Sequence, residues 1–282
     1  MESEFLKECN LCKSKKVYLF DEYIGLYECA DCRYIFDNPR PTLKEIINYY
    51  SKSSKYDGWL DNLYTRELLW KRRIKKMQKN IKEGTLLDVG CGIGQFLDIT
   101  KPFYTEVFGT EVSGSAVKIA KEKYGLNLLH GTLDDINFKG KKFDNISMFH
   151  LLEHVNDVNG TIKKAKELLN PNGVLTIAVP NDIYSLKSIV KKIIGKPYLK
   201  KIKLDGTIDE IHLSHFTPNG LSGFLKSKGF EIIDLSLDPY YAEPGIKLLR
   251  RDIYYRVCNL INRIFKTNIY DTIWIVAKKK RH

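Results

Sequence analysis

Three groups of residues in this chain combine type and spacing in ways that chemistry can use. The first is the loop Asp88-Val-Gly-Cys-Gly-Ile-Gly94, in which three glycines alternate behind an acid. Glycine has no Cβ, so Gly90, Gly92 and Gly94 let the backbone come close to a bound ligand. A second acid, Glu111, ends the run Glu106-Val-Phe-Gly-Thr-Glu111. It follows Asp88 by about 20 residues, the separation at which a carboxylate on a second parallel strand reaches ribose hydroxyls. The second group is Cys9-Asn-Leu-Cys12 with Cys29-Ala-Asp-Cys32, a C-x2-C-x16-C-x2-C arrangement that suits four thiolates around one zinc ion. The third group is histidine. Four of the six histidines fall in two pairs, His150 with His154 and His212 with His215, and Glu153 lies inside the first pair. An imidazole that titrates near neutral pH can take a proton from a hydroxyl.

Elements must hold these residues. The apolar run that begins at Thr85 reads as a buried parallel strand passing through the glycines into a helix. The dinucleotide pattern G-x-G-x-x-G breaks at Gln95, and no P-loop G-K-[ST] follows. The pattern D-x-G-x-G-x-G instead resembles motif I of the class I S-adenosylmethionine (SAM)-dependent methyltransferases. The resemblance continues in order over roughly residues 80–278. Ser115-Ala-Val-Lys-Ile-Ala-Lys-Glu-Lys-Tyr124 reads as the next helix, and Asn127-Leu-Leu-His-Gly-Thr-Leu-Asp-Asp135 resembles strand three and the adenine-side loop. Phe143 to Val155 resembles strand four and the "LEHV" segment after it. Gly173–Pro180, Gly229–Asp234 and Thr272–Ala277 resemble strands five, six and seven. The family implies an α/β, Rossmann-like, seven-stranded, mostly parallel sheet whose strand seven is antiparallel. It also implies roles: Asp88 and Gly90, Gly92 and Gly94 at the methionine end, Glu111 at the ribose, and Val112, Leu133 and Asp134 beside the adenine. Gln95 faces the loop and is read either as a contact to the amino-acid part or as a surface residue.

The four cysteines predict a small N-terminal ribbon over residues 1–40. Val17-Tyr-Leu-Phe20 and Ile24-Gly-Leu-Tyr27 are its two short strands. The N-terminus is acidic and has no apolar core segment, so no signal peptide is expected and a reducing, cytoplasmic setting favours zinc over disulfides. Four thiolates leave no open coordination position, so the zinc is expected to be structural. Cys91 reads as a small buried residue.

Residues 41–84 read as a helical linker or lid. Thr42 and Glu45 form an expected capping box. A helix over about 61–82 carries Leu63, Trp70, Ile74, Met77 and Ile81 on one face, with Tyr49, Tyr50, Tyr56 and Trp59 ahead of it as a lid or a packing cluster. The domain proper then runs over 85–282, with basic insertions at 183–205 and 240–268. The net charge is +12, and seven lysines with no acid stand between Asp182 and Asp205. Both insertions carry apolar residues at helical spacing. Such helices suit a polyanion or an anionic membrane surface, which would put the protein at the inner membrane face; the plainer reading docks their apolar sides on the domain. No apolar run of about 18 residues predicts a membrane span.

For catalysis, His154 and His215, and after them His150, are the candidate bases or orienting groups; a structural hydrogen bond is the plain alternative for each. His150, Glu153 and His154 have i, i+3, i+4 spacing and, if helical, could share an ion. The ubiquinone-pathway O-methyltransferases have a similar segment with glutamate in place of His150, and two imidazoles fit magnesium poorly. No [ND]-P-P-[FY] follows strand four, so a hydroxyl, carboxyl or carbon acceptor is favoured over an exocyclic amine. The expected reaction is methylation, at oxygen, of a small molecule, sugar or glycan. The ribbon and the "N-P-R-P" turn resemble bacterial methyltransferases of cell-surface saccharide or secondary-metabolite pathways. Two alternatives stand behind it: an RNA methyltransferase gripping phosphates with ribbon and basic helices, nucleic acid being the weaker partner, and a non-catalytic membrane- or partner-binding protein.

Overall fold

The computed structural model describes residues 2–51, 60–80, 83–202, 210–239 and 245–280. The N-terminal segment supplies β1 (Ser3–Glu4), β2 (Val17–Asp21), β3 (Leu26–Cys29), β4 (Ile35–Asp37) and β5 (Arg40–Pro41), followed by α1 (Leu43–Tyr50) and α2 (Leu63–Met77). Strands and helices then alternate: β6 (Thr85–Val89), α3 (Gln95–Thr100), β7 (Glu106–Glu111), α4 (Gly114–Tyr124), β8 (Leu129–His130), β9 (Phe143–Phe149), α5 (Val158–Leu168) and β10 (Leu169–Pro180). The chain closes with α6 (Leu186–Ile193), β11 (Ser214–His215), α7 (Pro218–Ser227), β12 (Phe230–Ser236), α8 (Ile246–Phe265) and β13 (Thr272–Lys279).

Seven strands form the central sheet in the order β12-β13-β10-β9-β6-β7-β8. β13 is antiparallel to both its neighbours and the remaining pairings are parallel, as the sequence leads one to expect. Both faces of the sheet are covered, which is why its strands are nearly continuous apolar runs. Leu87, Ile146, Ile177 and Ile275 point to one side, where Ile162 and Ala165 of α5 and Leu221 and Leu225 of α7 meet them. Leu86, Ala178, Trp274 and Val276 point to the other, beneath Trp70, Ile74 and Met77 of α2 and Phe96 and Leu97 of α3.

The ribbon is not a separate satellite. Its sheet has the order β11-β4-β3-β2, so Ser214 and His215, from far along the chain, pair with Phe36 and Ile35. Buried Tyr34 hydrogen-bonds Ser214 across this seam, and the Asn10 amide donates to the Asn156 carbonyl.

Two local expectations need correction. Ile24 and Gly25 belong to a turn, not a strand: Asp21 accepts from the Ile24 N–H, and Gly25 has φ +90°. The capping box does not form. Thr42 stands at the N-cap position, but its hydroxyl makes no capping bond, and Glu45 instead accepts from the Glu2 N–H. Tyr49 and Tyr50 pack with Ile211 and Leu213 as a helix cluster; Tyr56, Trp59 and Ile81 lie outside the described residues.

Candidate active site

The first half of the site is built where β6 turns into α3. Gly90, Gly92 and Gly94 all have positive φ, +70°, +55° and +77°. A Cβ on Gly90 would stand 2.8 Å from Leu151, and one on Gly94 would stand 2.7 Å from Leu126. The turn therefore needs glycine for conformation and for space. Asp88 is buried at the end of β6 and accepts from the Ser147 hydroxyl at 2.6 Å across the β6–β9 seam. Burial pushes its carboxyl up to about 7. Glu111 ends β7 and accepts from the Gly92 N–H at 2.8 Å and from the Ser113 N–H at 2.9 Å. Those two bonds fix the carboxylate beside the glycine loop. Val112 is half-buried with its carbonyl 3.0 Å from His130; Leu133 is buried and Asp134 exposed on the loop after β8. A glycine turn flanked by two buried carboxylates is a set of groups that suits an adenosyl ligand.

Gln95 is buried, so the surface reading falls. It accepts from the Trp70 indole and donates to the Leu63 carbonyl, fastening α2 to the loop. Cys91 is buried and its thiol is pushed well up by burial, so the loop contains no nucleophile.

The second half begins at the end of β9. The segment after it is a turn, not the helix that i, i+3, i+4 spacing assumes, and His150 sits at φ +52°. That backbone costs about 1–3 kcal/mol outside glycine and is kept where the surroundings over-determine it. His150 Nδ1 lies 3.3 Å from Glu153 and its Nε2 lies 3.7 Å from Asp238. Burial pushes the ring down, but the Asp238 and Glu153 carboxylates outweigh it and hold it at about 9. Asp238 also forms a two-pronged, fully buried ion pair with Arg73, whose guanidinium lies 4.9 Å over Trp70 and 4.8 Å over Phe149. Arg73 and Asp238 have no local sequence signature.

His154 is in the opposite state. Burial lowers its pKa below the ordinary value, so the ring is neutral at pH 7. Its Nδ1 lies 2.6 Å from the Ile211 carbonyl, which only accepts, so Nδ1 carries the hydrogen and Nε2 the lone pair. The Tyr50 hydroxyl sits 2.9 Å from the same Nδ1 and accepts from the Ile211 N–H. Glu153, fully buried, places a carboxylate oxygen 3.8 Å from Nε2.

His215 does not share this geometry. It is buried in β11 with Nε2 2.8 Å from Asp37 of the ribbon and Nδ1 3.2 Å from Asp182. Burial pushes it down, but the two carboxylates hold it at about 9. A ring bonded on both sides to acceptors stays protonated and has no lone pair, so the expectation of a base at His215 is replaced by a structural cation. His212 is likewise held protonated, chiefly by Asp182 at 2.9 Å and by Glu210. Glu153, His154 and His212 have ligand atoms within 4.8 Å of one another; a metal there would have to displace the proton that Asp182 and Glu210 favour on His212. His150 is turned toward Asp238 and lies outside that trio.

In the ribbon, the sulfurs of Cys9 and Cys32 and of Cys12 and Cys29 are each 3.6 Å apart, and all four lie within 4.8 Å. A tetrahedral ion with ligands at about 2.3 Å separates its sulfurs by about 3.8 Å. The cluster fits zinc.

The family model described as "Methyltransferase domain" matches residues 63–235. The uncharacterised protein MJ1252 of Methanocaldococcus jannaschii is 31% identical over 204 residues, 67% of this chain and 77% of its own. A ubiquinone biosynthesis O-methyltransferase of Pelagibacter ubique is 34% identical over 141 residues, 49% of this chain and 58% of its own length. Among solved structures, a SAM-dependent methyltransferase of Thermotoga maritima superposes with a TM-score of 0.54 at 17% identity, covering 85% of this chain and all of that one. That likeness concerns the fold.

Proposed function

Because this chain belongs to the methyltransferase-domain family and is a SAM-dependent methyltransferase, we propose that it methylates a hydroxyl of a small-molecule, sugar or glycan acceptor, with His154 as the base. The observation that carries this is the His154 ring, neutral and fixed by Ile211 with its lone pair on Nε2. The ubiquinone-pathway name of the Pelagibacter relative supports an oxygen acceptor of small size.

Bound SAM supplies a methyl group on a sulfonium, and its transfer is an in-line displacement that depends mostly on positioning. On this reading Asp88 and the backbone of Gly90, Gly92 and Gly94 hold the methionine end. Glu111 accepts from the ribose hydroxyls, while Val112, Leu133 and Asp134 border the adenine. His154 Nε2 takes the hydroxyl proton as the oxygen gains the methyl, and the Glu153 carboxylate stabilises the imidazolium that forms. His150, cationic beside Asp238, orients the acceptor. His215 is a positioning residue that ties the ribbon to this wall. Zinc on Cys9, Cys12, Cys29 and Cys32 closes the ribbon and is structural.

The test is methyl transfer from labelled SAM to a panel of nucleotide sugars, lipid-linked glycans, phenols and tRNA. Transfer to a hydroxylated small molecule or glycan that His154→Ala reduces is expected. Transfer to tRNA alone, or none to any acceptor by protein that binds S-adenosylhomocysteine, would overturn the acceptor class.

A further inference from the structure

Helix α8, inserted before the last strand, has two unlike faces. The inner face is docked: Cys258 is buried, Tyr254 and Tyr255 each pack 5.3 Å from Tyr270, and Arg251 pairs with Asp271 at 2.7 Å. The outer face carries Ile246, Leu249, Ile253, Val257, Leu260 and Ile264, all between 48% and 66% exposed. At about 100° per residue these six fall within one narrow stripe, roughly opposite Cys258. Arg250 borders the stripe on one side, Arg256 and Arg263 on the other. The expectation that the apolar side of this insertion docks on the domain therefore fails for α8.

We propose that this stripe docks on an anionic phospholipid surface. Six aliphatic side chains held in water are far more than scattered surface apolar residues require. The helix carries five basic residues and one acid, Asp252, which pairs with Arg256 at 2.7 Å. An apolar stripe bordered by arginines matches the boundary between acyl chains and anionic headgroups. A second copy of the chain matches it poorly, because pairing two stripes would bring Arg250, Arg256 and Arg263 against their own counterparts. RNA would satisfy the arginines and leave the leucine and isoleucines in water. Helix α6 stands near α8 and also exposes apolar residues. Its Lys187 reaches Asp271, the residue that also holds Arg251, and its Ile193 is 78% exposed with Val190 and Ile194 beside it. The exposure and charge of this surface are independent of the acceptor and of His154.

Vesicle flotation of the full chain tests it, with phosphatidylcholine alone against phosphatidylcholine mixed with phosphatidylglycerol. Binding at least about tenfold stronger to the anionic vesicles is expected, weakening from about 0.1 M to about 1 M salt as the Debye length falls from about 10 to about 3 Å. The double variant Leu249→Asp, Ile253→Asp should lose vesicle binding, while its S-adenosylhomocysteine affinity and melting temperature stay those of the parent. Equal binding by parent and variant overturns the proposal, as does no binding by the parent. A parent dimer in light scattering that the double variant converts to monomer, without vesicle binding, assigns the stripe to a second copy instead.

Discussion

The two halves of the proposed site are built on different principles. The cofactor half is local. Asp88, the three glycines and Glu111 lie on one β6-α3-β7 unit, and their bonds to Ser147, Gly92 and Ser113 stay within adjacent strands. The acceptor half is assembled from distant parts. His215 bonds Asp37 across 178 residues, Arg73 bonds Asp238 across 165, and His154 leans on Tyr50 across 104. The first half uses backbone shape and works as a cradle; the second uses buried charge to set proton positions. Three histidines are held as cations by carboxylates, and the fourth, His154, is kept neutral by burial. Such separated states would suit the proposed division between a base and charged orienting groups.

The largest way to break the comparison is to remove zinc. Structural zinc in small domains contributes on the order of 10 kcal/mol to folding, so chelation should unfold the ribbon. Because β4 carries β11 and Asp37, the acceptor half should fail with it. Methyl transfer should fall to background, while S-adenosylhomocysteine affinity, measured by calorimetry, should change less than about threefold. Equal loss of both would show that the halves are not separable.

Next in size is His154→Ala, for which kcat should drop by about 10²–10⁴, the usual worth of a general base. The pH profile should sharpen the assignment. His154 acts deprotonated and its pKa is lowered, so the parent's kcat should fall only below about pH 6.5. It should fall again as pH rises through about 9, where His150 loses its proton. An acid limb that persists unchanged in His154→Gln would assign it to another group.

Arg73→Met leaves Asp238 charged and buried without its partner, which costs about 3–5 kcal/mol. Chemical denaturation should show that loss, and Arg73→Met combined with Asp238→Asn should recover much of it.

The smallest effect concerns stability against pH. The folded pKa of His215 is raised to about 9. Its contribution is therefore fully present below the unfolded value, about 6.5, and is lost as pH rises toward 9. Melting temperature should decline over that window, and His215→Gln should flatten the decline.

This division also explains what could be read from the sequence. The glycine loop was legible because its backbone demands are written in consecutive residues, and so were Glu111 and the four cysteines, whose spacing is set by strand and knuckle geometry. The state of each histidine was not. His154 and His215 look alike in sequence, and only the folded chain brings two carboxylates to one and a carbonyl to the other. Asp37, Asp182, Asp238 and Arg73 were missed for the same reason: a lone acid or arginine carries no local sign of the partner it will meet. The burial of Gln95 was not legible because α2, which uses it as an anchor, arrives from earlier in the chain. For α8 the apolar spacing was plain, but its exposure depends on which side of the helix Tyr270 and Asp271 occupy.

The most direct measurement is a calorimetric titration of S-adenosylhomocysteine into the parent, Glu111→Gln and His154→Ala, all zinc-replete. Binding in the parent and in His154→Ala with similar affinity is expected. In Glu111→Gln it should weaken by about 100-fold, since hydrogen bonds to a charged group contribute about 1.5–3 kcal/mol. No binding by the folded parent, or equal loss in both variants, would contradict a site with a local cofactor half and a separately built acceptor half.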